Sequence, residues 1–485
     1  MSFTSGNFML IASILLMAGI FIQKPGYRFG FPTLLLFLLV GMAFGCDGFG
    51  VQFDSVKDAQ FIGMLSLSII LFNGGLGTRI KDIQPVLRPG TVLATLGVLL
   101  TSVVTGFFVW WISGFSWTTI HFALLPSILL AATMSSTDSA SVFGILGAQK
   151  VKLKHNLRPM LELESGSNDP VAFLLTTMLV NVLSTGDAFE PLQLLKMFIV
   201  QFSVGLMLGF GFGRLGVWML NHLKLDNRAL YPILLVAICF LTYSLTESAE
   251  GNACLAIYIA GVVIGNADIT HRRDSLTFID GLSWLCQIVM FLMLGLLVSP
   301  HEMLGEVSMA LLIALFMIFV ARPVSVFACL LPYRSIPFKA KVFTSWVGLR
   351  GAVPILFATY PVVAGVEGNH TIFNIVFFIT LISLLLQGTT IKWLAAKLQL
   401  TEPAENEVED FGVELPEEFA SSLHEIDITP EMLQKGNTLK ALHLRRGELV
   451  IMVKRGASEL IPDGQLELQP DDRLLVISSP DTVQS

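Results

Sequence analysis

Glu164-Ser165-Gly166-Ser167-Asn168-Asp169-Pro170 opens a long apolar run, Val171 to Leu183, and decides whether this chain sits in water or in lipid. The run reads as a membrane-spanning helix. Two carboxylates and an amide therefore lie inside or beside a bilayer, where an ionisable group is costly and calls for an internal partner or a job. Asp169 is about nine residues from the end of its span near Met160. At roughly 1.5 Å per residue that is about 13 Å, close to the midplane. Ser165 and Asp169 are four apart and share a face, as do Glu164 and Asn168 on the neighbouring one. The first face offers a hydroxyl and a carboxylate to a partly dehydrated cation. The second offers a carboxylate and an amide to other helices. Pro170 lacks an N–H and frees a carbonyl near Gly166.

The composition agrees with a membrane setting. Of 485 residues, 53% are hydrophobic and 14% charged, where a soluble domain carries about 25% charged residues. No basic footprint for nucleic acid is present. The five cysteines, Cys46, Cys239, Cys254, Cys286 and Cys329, lie in or at the ends of apolar segments without a C-x-x-C pair. They read as small core residues rather than metal ligands. The first apolar run, Phe8 to Ile22, has no basic residue before it, and Lys24 and Arg28 follow it. That order predicts a retained first span that starts outside.

A span needs about 20 mostly apolar residues. The expected fold is an all-α polytopic membrane protein with about thirteen transmembrane helices, at 8–22, 31–46, 60–77, 90–112, 122–147, 160–184, 196–218, 229–247, 252–267, 279–298, 306–327, 341–363 and 371–391. Alternate loops are basic: Lys24/Arg28, Arg79/Lys81/Arg88, Lys150/Lys152/Lys154/Arg158, Lys224/Arg228, Arg272/Arg273, Arg334/Lys339 and Lys392/Lys397. The intervening loops carry Asp47/Asp54/Asp58, Asp187/Glu190, Glu247/Glu250, Glu302 and Glu367. Basic loops stay cytoplasmic, so the N-terminus is expected outside and the C-terminus inside.

The composition changes after Leu400. Ten acidic residues and no Lys or Arg fall between Glu402 and Asp427. The expected domains are a transmembrane domain at 1–398, a solvated acidic linker at 399–418 and a small β-rich (α+β) cytoplasmic domain at 419–485. Leu449 to Val453 and Arg473 to Ile477 read as its strands, and Pro462-Asp463-Gly464 as a turn.

Arg350 lies in Gly348-Leu349-Arg350-Gly351-Ala352-Val353-Pro354, about nine residues from the span end near Lys341 and at the depth of Glu164 and Asp169. It is the expected partner of Glu164 in a structural bridge, with pairing to Asp169 as the alternative. Arg214 and Arg322 read as side chains near cytoplasmic ends, where they snorkel to water. The fifth span holds Thr133-Met134-Ser135-Ser136-Thr137-Asp138-Ser139, whose hydroxyls compete with regular helix bonding. An unwound segment is tolerated at this depth where it lines a cavity or is buried in protein. A Thr137 oxygen there would coordinate a cation, and Asp138 would offset the positive ends of half-helices; a plain kink is the other reading. Spans five and twelve are both interrupted, run in opposite directions and occupy similar places in two halves. That is the pattern of inverted repeats with a site where two broken helices cross.

These three stretches together resemble the monovalent cation/proton antiporters, in particular the electroneutral NhaP-type branch, over nearly all of residues 1–398. The resemblance implies that Asp169 binds cation and proton alternately. Ser165 and Thr137 would be cation ligands with Asp138 nearby, Asn168 a structural partner, and Glu164–Arg350 a buried ion pair. Spans four to six and eleven to thirteen would form a moving core and the remainder a dimerisation scaffold. No cofactor and no metal beyond the transported monovalent cation is implied; the partners are cations, protons, the lipid bilayer and a second copy in a homodimer, and the setting is a bacterial inner membrane. Two departures stand out. Asn73, in Leu71-Phe72-Asn73-Gly74-Gly75-Leu76, stands where Glu is common near the cation, and Ser139 where Pro is common. A weaker anionic field penalises dehydration of Na⁺ more than of K⁺, which favours K⁺. The tail, on Arg445-Arg446-Gly447-Glu448-Leu449-Val450, Ile461 to Gly464 and Pro470 to Val476, resembles the C-terminal half of an RCK-type regulatory domain. That implies paired tails and gating by a small ligand.

The expected function is thus electroneutral exchange of cytoplasmic K⁺ or Na⁺ for external H⁺, for cation and pH homeostasis. With Asn168 rather than a second acid beside Asp169, one proton exchanges for one cation. Two other transport readings stay open: a proton-coupled symporter of a small metabolite, and a gated potassium channel, although no T-V-G-Y-G filter is present. An enzyme is not expected, since no G-x-S-x-G or H-E-x-x-H motif occurs.

Overall fold

A computed structural model describes residues 8–29, 32–53, 55–116, 118, 120–147, 152–185, 191–402, 423–428, 432–435, 437–442, 448–455, 458–470 and 472–478. Loop charges Asp54, Lys150, Asp187 and Glu190, the linker from residue 403 to 418, Arg445 to Gly447 and Asp471 lie outside the described residues. The chain divides into two compact units, Met1–Glu402 and Pro403–Ser485.

The first unit is helical: α1 Phe8–Phe29, α2 Thr33–Phe44, α3 Val56–Gly77, α4 Ile80–Ser113, α5 Leu124–Thr133, α6 Ser139–Gly147, α7 Leu157–Thr185, α8 Pro191–His222, α9 Leu230–Ser248, α10 Ala253–Gly265, α11 Arg272–Leu296, α12 Leu304–Leu330, α13 Phe338–Trp346, α14 Ala352–Ala364 and α15 Asn369–Lys397. Among the described residues seven helices are long and apolar enough to cross a membrane: α3, α4, most of α8, α9, α11, α12 and α15. The helix that carries the opening stretch, α7, is not one of them. Its polar midsection is instead shielded by protein: Glu164, Ser165, Asn168 and Asp169 are all buried.

Helix ends depart from the expected ones where proline misleads. α4 begins at Ile80 and not near 90, although Pro85 and Pro89 read as breakers. Pro85 falls in a 3₁₀ turn, Gln84–Val86, and Pro89 in the next turn. A missing N–H is tolerated in the first turns of a helix, where it has no partner anyway. π turns at Leu93–Gly97 in α4 and Met317–Ala321 in α12 are further features that apolar periodicity does not reveal. The second of them directly precedes Arg322. The first residues of the expected linker also belong to the first unit. Thr401–Glu402 (β2) pairs antiparallel with Lys152–Leu153 (β1), and Leu400 is buried and accepts a bond from Lys154.

Helices α1–α3 pack with α8–α11, and α4–α7 with α12–α15, giving two bundles. Small residues set the tightest crossing. A Cβ on Gly75 would lie 2.3 Å from the Tyr258 carbonyl oxygen, and one on Gly261 2.5 Å from that of Phe72. Close backbone approach of this kind is how helices associate where burial from water gives no driving force.

The second unit is a four-stranded antiparallel sheet of order β3-β6-β4-β5, built from Leu423–Asp427 (β3), Glu448–Arg455 (β4), Ser458–Leu460 (β5) and Arg473–Ser478 (β6). Both expected strands are present. At the expected turn, the Leu466 N–H donates to the Asp463 carbonyl at 2.8 Å. Val450, Val453, Leu474 and Val476 form its small core with Ile428 and Leu468.

Asp472 is 1% exposed and takes two 2.8 Å bonds from Arg455, at Nε and Nη2, and one from the Gln469 N–H. The Arg455 hydrogen bonds hold its carboxyl below the usual carboxylate value. A depressed carboxyl stabilises the fold above its unfolded pKa of about 3.9, and loses that contribution as the pH falls through its lower folded value. Asp472→Asn is expected to weaken the sheet by about 1–2 kcal/mol at neutral pH, because Arg455 remains partly solvated. Hydrogen exchange of β4 and β6 amides measures it, and the difference from the parent should shrink as the pH falls through the depressed value of Asp472.

Candidate functional site

The two interruptions meet. α5 ends at Thr133 and α6 begins at Ser139; α13 ends at Trp346 and α14 begins at Ala352. The Asp138 N–H donates to the Leu349 carbonyl at 2.8 Å, tying one break to the other. Several freed polar groups find partners nearby. Thr133 and Ser135 hydroxyls donate back to the carbonyls of Leu130 and Ala132 at 2.7 Å. In the second break the Arg350 N–H donates to Ser383 Oγ, Ser383 to Gln387 Oε1, and Gln387 Nε2 to the Trp346 carbonyl.

Asp138 caps α6. Its Oδ1 accepts from the Ser141 N–H at 3.0 Å and its Oδ2 from Ser141 Oγ at 2.5 Å. A carboxylate here complements the positive end of the half-helix. The start of α14 is as close: a Cβ on Gly351 would fall 2.2 Å from Asp138 Oδ2 and 2.9 Å from its Cβ. Gly351→Ala is therefore expected to push Asp138 off both helix ends. Transport should drop by about tenfold or more while the chain still folds, since misplacement of about 1 Å in a functional group commonly costs that much. Initial transport rates at matched expression check it.

The opening stretch faces the first break. Ser165 Oγ donates to the Thr137 carbonyl at 2.7 Å, and Asn168 Nδ2 to Thr137 Oγ1 at 2.5 Å. Asp169 Oδ1 accepts from Ser136 Oγ, and Ser136's carbonyl accepts from the Arg350 guanidinium. Asn168 therefore holds the unwound segment. Ser136, which sequence reasoning quoted but gave no role, links Asp169 to Arg350. Asn252 was missed too; it caps α10 and donates to the Pro170 carbonyl at 2.8 Å.

The expected Glu164–Arg350 bridge is not the one formed. Glu164 Oε1 accepts from Arg322 Nη2, and both side chains are buried. Arg322 does not snorkel. It lies eight residues before the end of α12 at Leu330, about 12 Å along the axis, and α12 brings it against α7. The expected end of this span at 327 had placed it near water. Arg350 instead donates its backbone and guanidinium to the two breaks.

Thr137, Asp138, Ser165, Asp169 and Asn73 line one cavity of about 340 Å³, together with Thr78, Arg158 and Glu162. Asn73 sits on its wall, where its amide donates to Asp280 at 3.2 Å. Among the described residues of the first unit, the fully buried charged side chains are Glu164, Asp169, Arg322 and Arg350, with half-buried Asp138 beside them. Three carboxyls thus meet two guanidiniums. Such a centre is short of one positive charge when every group is ionised, and a single cation or proton balances it.

The comparisons with known proteins agree with this geometry. The family pattern described as sodium/hydrogen exchanger, transmembrane, matches residues 11–397, and the TrkA-C domain matches residues 423–485. The chain is similar to "K(+)/H(+) antiporter NhaP" of Alkalimonas amylolytica, 42% identical over 398 residues, 82% of this chain and 68% of that one. It is also similar to "K(+)/H(+) antiporter NhaP2" of Shewanella sp. (strain ANA-3), 36% identical over 486 residues, 99% of this chain and 82% of the relative. The fold is shared with the sodium proton antiporter MjNhaP1 from Methanocaldococcus jannaschii, at a TM-score of 0.68 and 22% identity, covering 81% of this chain and 99% of that one. A multi-pass membrane protein built around a buried, charge-deficient crossing of broken helices, this chain belongs to the sodium/hydrogen exchanger family and carries a TrkA-C domain in its tail.

Proposed function

We propose that the chain is an electroneutral antiporter exchanging cytoplasmic K⁺, and Na⁺ less well, for external H⁺. The observation that carries this reading is the charge count at the crossing, three carboxyls against two guanidiniums. Asp169 is the group whose occupant changes. It lines the cavity with Oδ1 bonded to Ser136, whereas Glu164 is engaged by Arg322, and Asp138, also on the cavity wall, is bonded at both oxygens by Ser141. A proton on Asp169 neutralises the centre, and so does a monovalent cation held by Asp169, Ser165 and Thr137 with Asp138 near. One replaces the other, so no net charge moves in a cycle. Arg322 takes the pairing role first expected of Arg350, and Asn168 the structural one.

Support for K⁺ comes from Asn73, which brings no charge to the cavity wall, and from relatives named as K(+)/H(+) antiporters. The same reading gives thirteen passes, each broken helix pair counting as one, in two inverted halves. It puts the N-terminus outside and the C-terminus in the cytoplasm of a bacterial inner membrane. α4–α7 and α12–α15 form a moving core against a dimeric scaffold, and the 419–485 tail regulates by binding a small ligand.

Everted membrane vesicles carrying a preset pH gradient test it. Added K⁺ should dissipate the gradient at lower concentration than Na⁺ or Li⁺, at a rate unchanged when the membrane potential is clamped at two values. Removal of residues 402–485 should alter the pH or cation threshold. A rate that follows voltage, or dissipation without any cation requirement, would contradict the reading.

A further inference from the structure

A second cavity, about 450 Å³, lies at the opposite end of the helices that line the first. On α3 the first cavity takes Ile70, Asn73 and Gly77, and the second takes Lys57, Phe61 and Ser68. On α14 the first takes Ala352 and Val353, and the second takes Tyr360. Val353 and Tyr360 are two turns apart, about 10 Å along the axis. Both cavities thus run along the seam between the two bundles, with a closed stretch between them.

That stretch is aromatic and tight. Phe173 is one helical turn beyond Asp169, on the same face of α7. Its ring lies 5.5 Å from that of Phe357, and 5.4 Å from that of Tyr360 at 79°. Tyr360 is itself a wall of the second cavity. Leu356, between Val353 and Tyr360 on α14, packs closely on α3: a Cβ on Gly63, among the α3 residues of the second cavity, would meet its Cδ1 at 2.3 Å. A narrow apolar constriction excludes water and ions. Beyond it the lining mixes apolar Phe61, Met64, Leu65 and Phe240 with Lys57, Tyr243, Ser244 and the exposed carboxylate of Glu247 at the end of α9.

We propose that Phe173, Phe357 and Tyr360 form the outer gate of the transport path, and that the cavity edged by Glu247 is its external entrance for a partly hydrated monovalent cation. The inference rests on the antiport reading above and extends it. The cavity that reaches Asp169 is the inward-facing leg. Movement of α7 and α14 along α3 separates Phe173 from Tyr360 and joins Asp169 to the outer leg.

The full chain tests this by cysteine accessibility in right-side-out vesicles, using a membrane-impermeant methanethiosulfonate. Of the five native cysteines four are buried, and half-buried Cys46 is first replaced by Ala. Glu247→Cys should be modified rapidly from outside and Val353→Cys slowly. Phe173→Ala and Tyr360→Ala should each speed modification of Val353→Cys about tenfold, as expected when a minor open state becomes more populated, and leave Glu247→Cys unchanged. Tyr360→Phe should keep the slow rate. An unaltered Val353→Cys rate in both alanine variants, with Glu247→Cys labelling still normal as the sign of a folded chain, would overturn the gate. Failure of Glu247→Cys to react from outside would overturn the entrance. The antiport reading fails separately, if the unmodified chain shows no K⁺-dependent proton flux.

Discussion

Asp169→Asn is expected to abolish cation-dependent proton flux in proteoliposomes and to leave the protein folded. The amide keeps the shape of the carboxyl, and its oxygen still accepts the bond from Ser136. It binds no proton in the transport range and brings no negative charge. Three carboxyls become two, which the two arginines already balance. Neither a proton nor a cation then has a vacancy to fill, and alternating access carries nothing. Asp169→Glu keeps the charge but moves it by a methylene, away from Ser165 and Thr137. A displacement of about 1 Å commonly costs about 10²-fold, so a small residual flux is expected with a changed cation preference. Unfolding of Asp169→Asn should be unaltered or shifted towards greater stability, since a buried charge without full compensation is itself costly. Flux comparable to the parent in Asp169→Asn would remove Asp169 from the mechanism. Loss of flux together with loss of folded protein would make it a structural residue.

Much of this centre was legible before any coordinates. The i,i+4 spacings within Glu164 to Asp169 depend only on helix geometry; Ser165 and Asn168, assigned to neighbouring faces, both reach Thr137. The two breaks were legible because hydroxyl runs and Gly-x-x-Gly-x-x-Pro patterns oppose regular helix bonding wherever they occur. The choice of arginine was not. Depth along a span is measured from its end, and ends are the least certain feature of an apolar run. α12 continues to Leu330, which moves Arg322 from the interface to the level of Glu164. A π turn lies just before it, and no periodicity in the sequence signals that turn. Ser136 was hidden for another reason. Within a run of Ser and Thr, only the path of the unwound backbone decides which hydroxyl meets the carboxylate.

Arg322→Met is expected to destabilise the folded chain by about 3–5 kcal/mol, the usual cost of leaving one charge of a buried pair alone, and by more than Arg350→Met does. The reason lies in what each loss leaves behind. Without Arg322, Glu164 is a buried carboxylate whose cation is gone. Arg350 cannot fill the place without releasing the Ser136 carbonyl and so loosening the first break. Without Arg350, the Ser136 carbonyl loses a donor, but Glu164 keeps its partner. Transport suffers because Ser136 no longer fixes Asp169, while the fold suffers less. The double variant Arg322→Met/Glu164→Gln then distinguishes the pairings, since it removes both charges and restores neutrality. Most of the lost stability should return in that double variant, and little in Arg350→Met/Glu164→Gln. Unfolding in a detergent series, with proton flux measured on the same preparations, gives both quantities. If the rescue appears with Arg350 and not with Arg322, the bridge suggested by the sequence is the working one, and the contact between α7 and α12 does not hold Glu164 in the membrane.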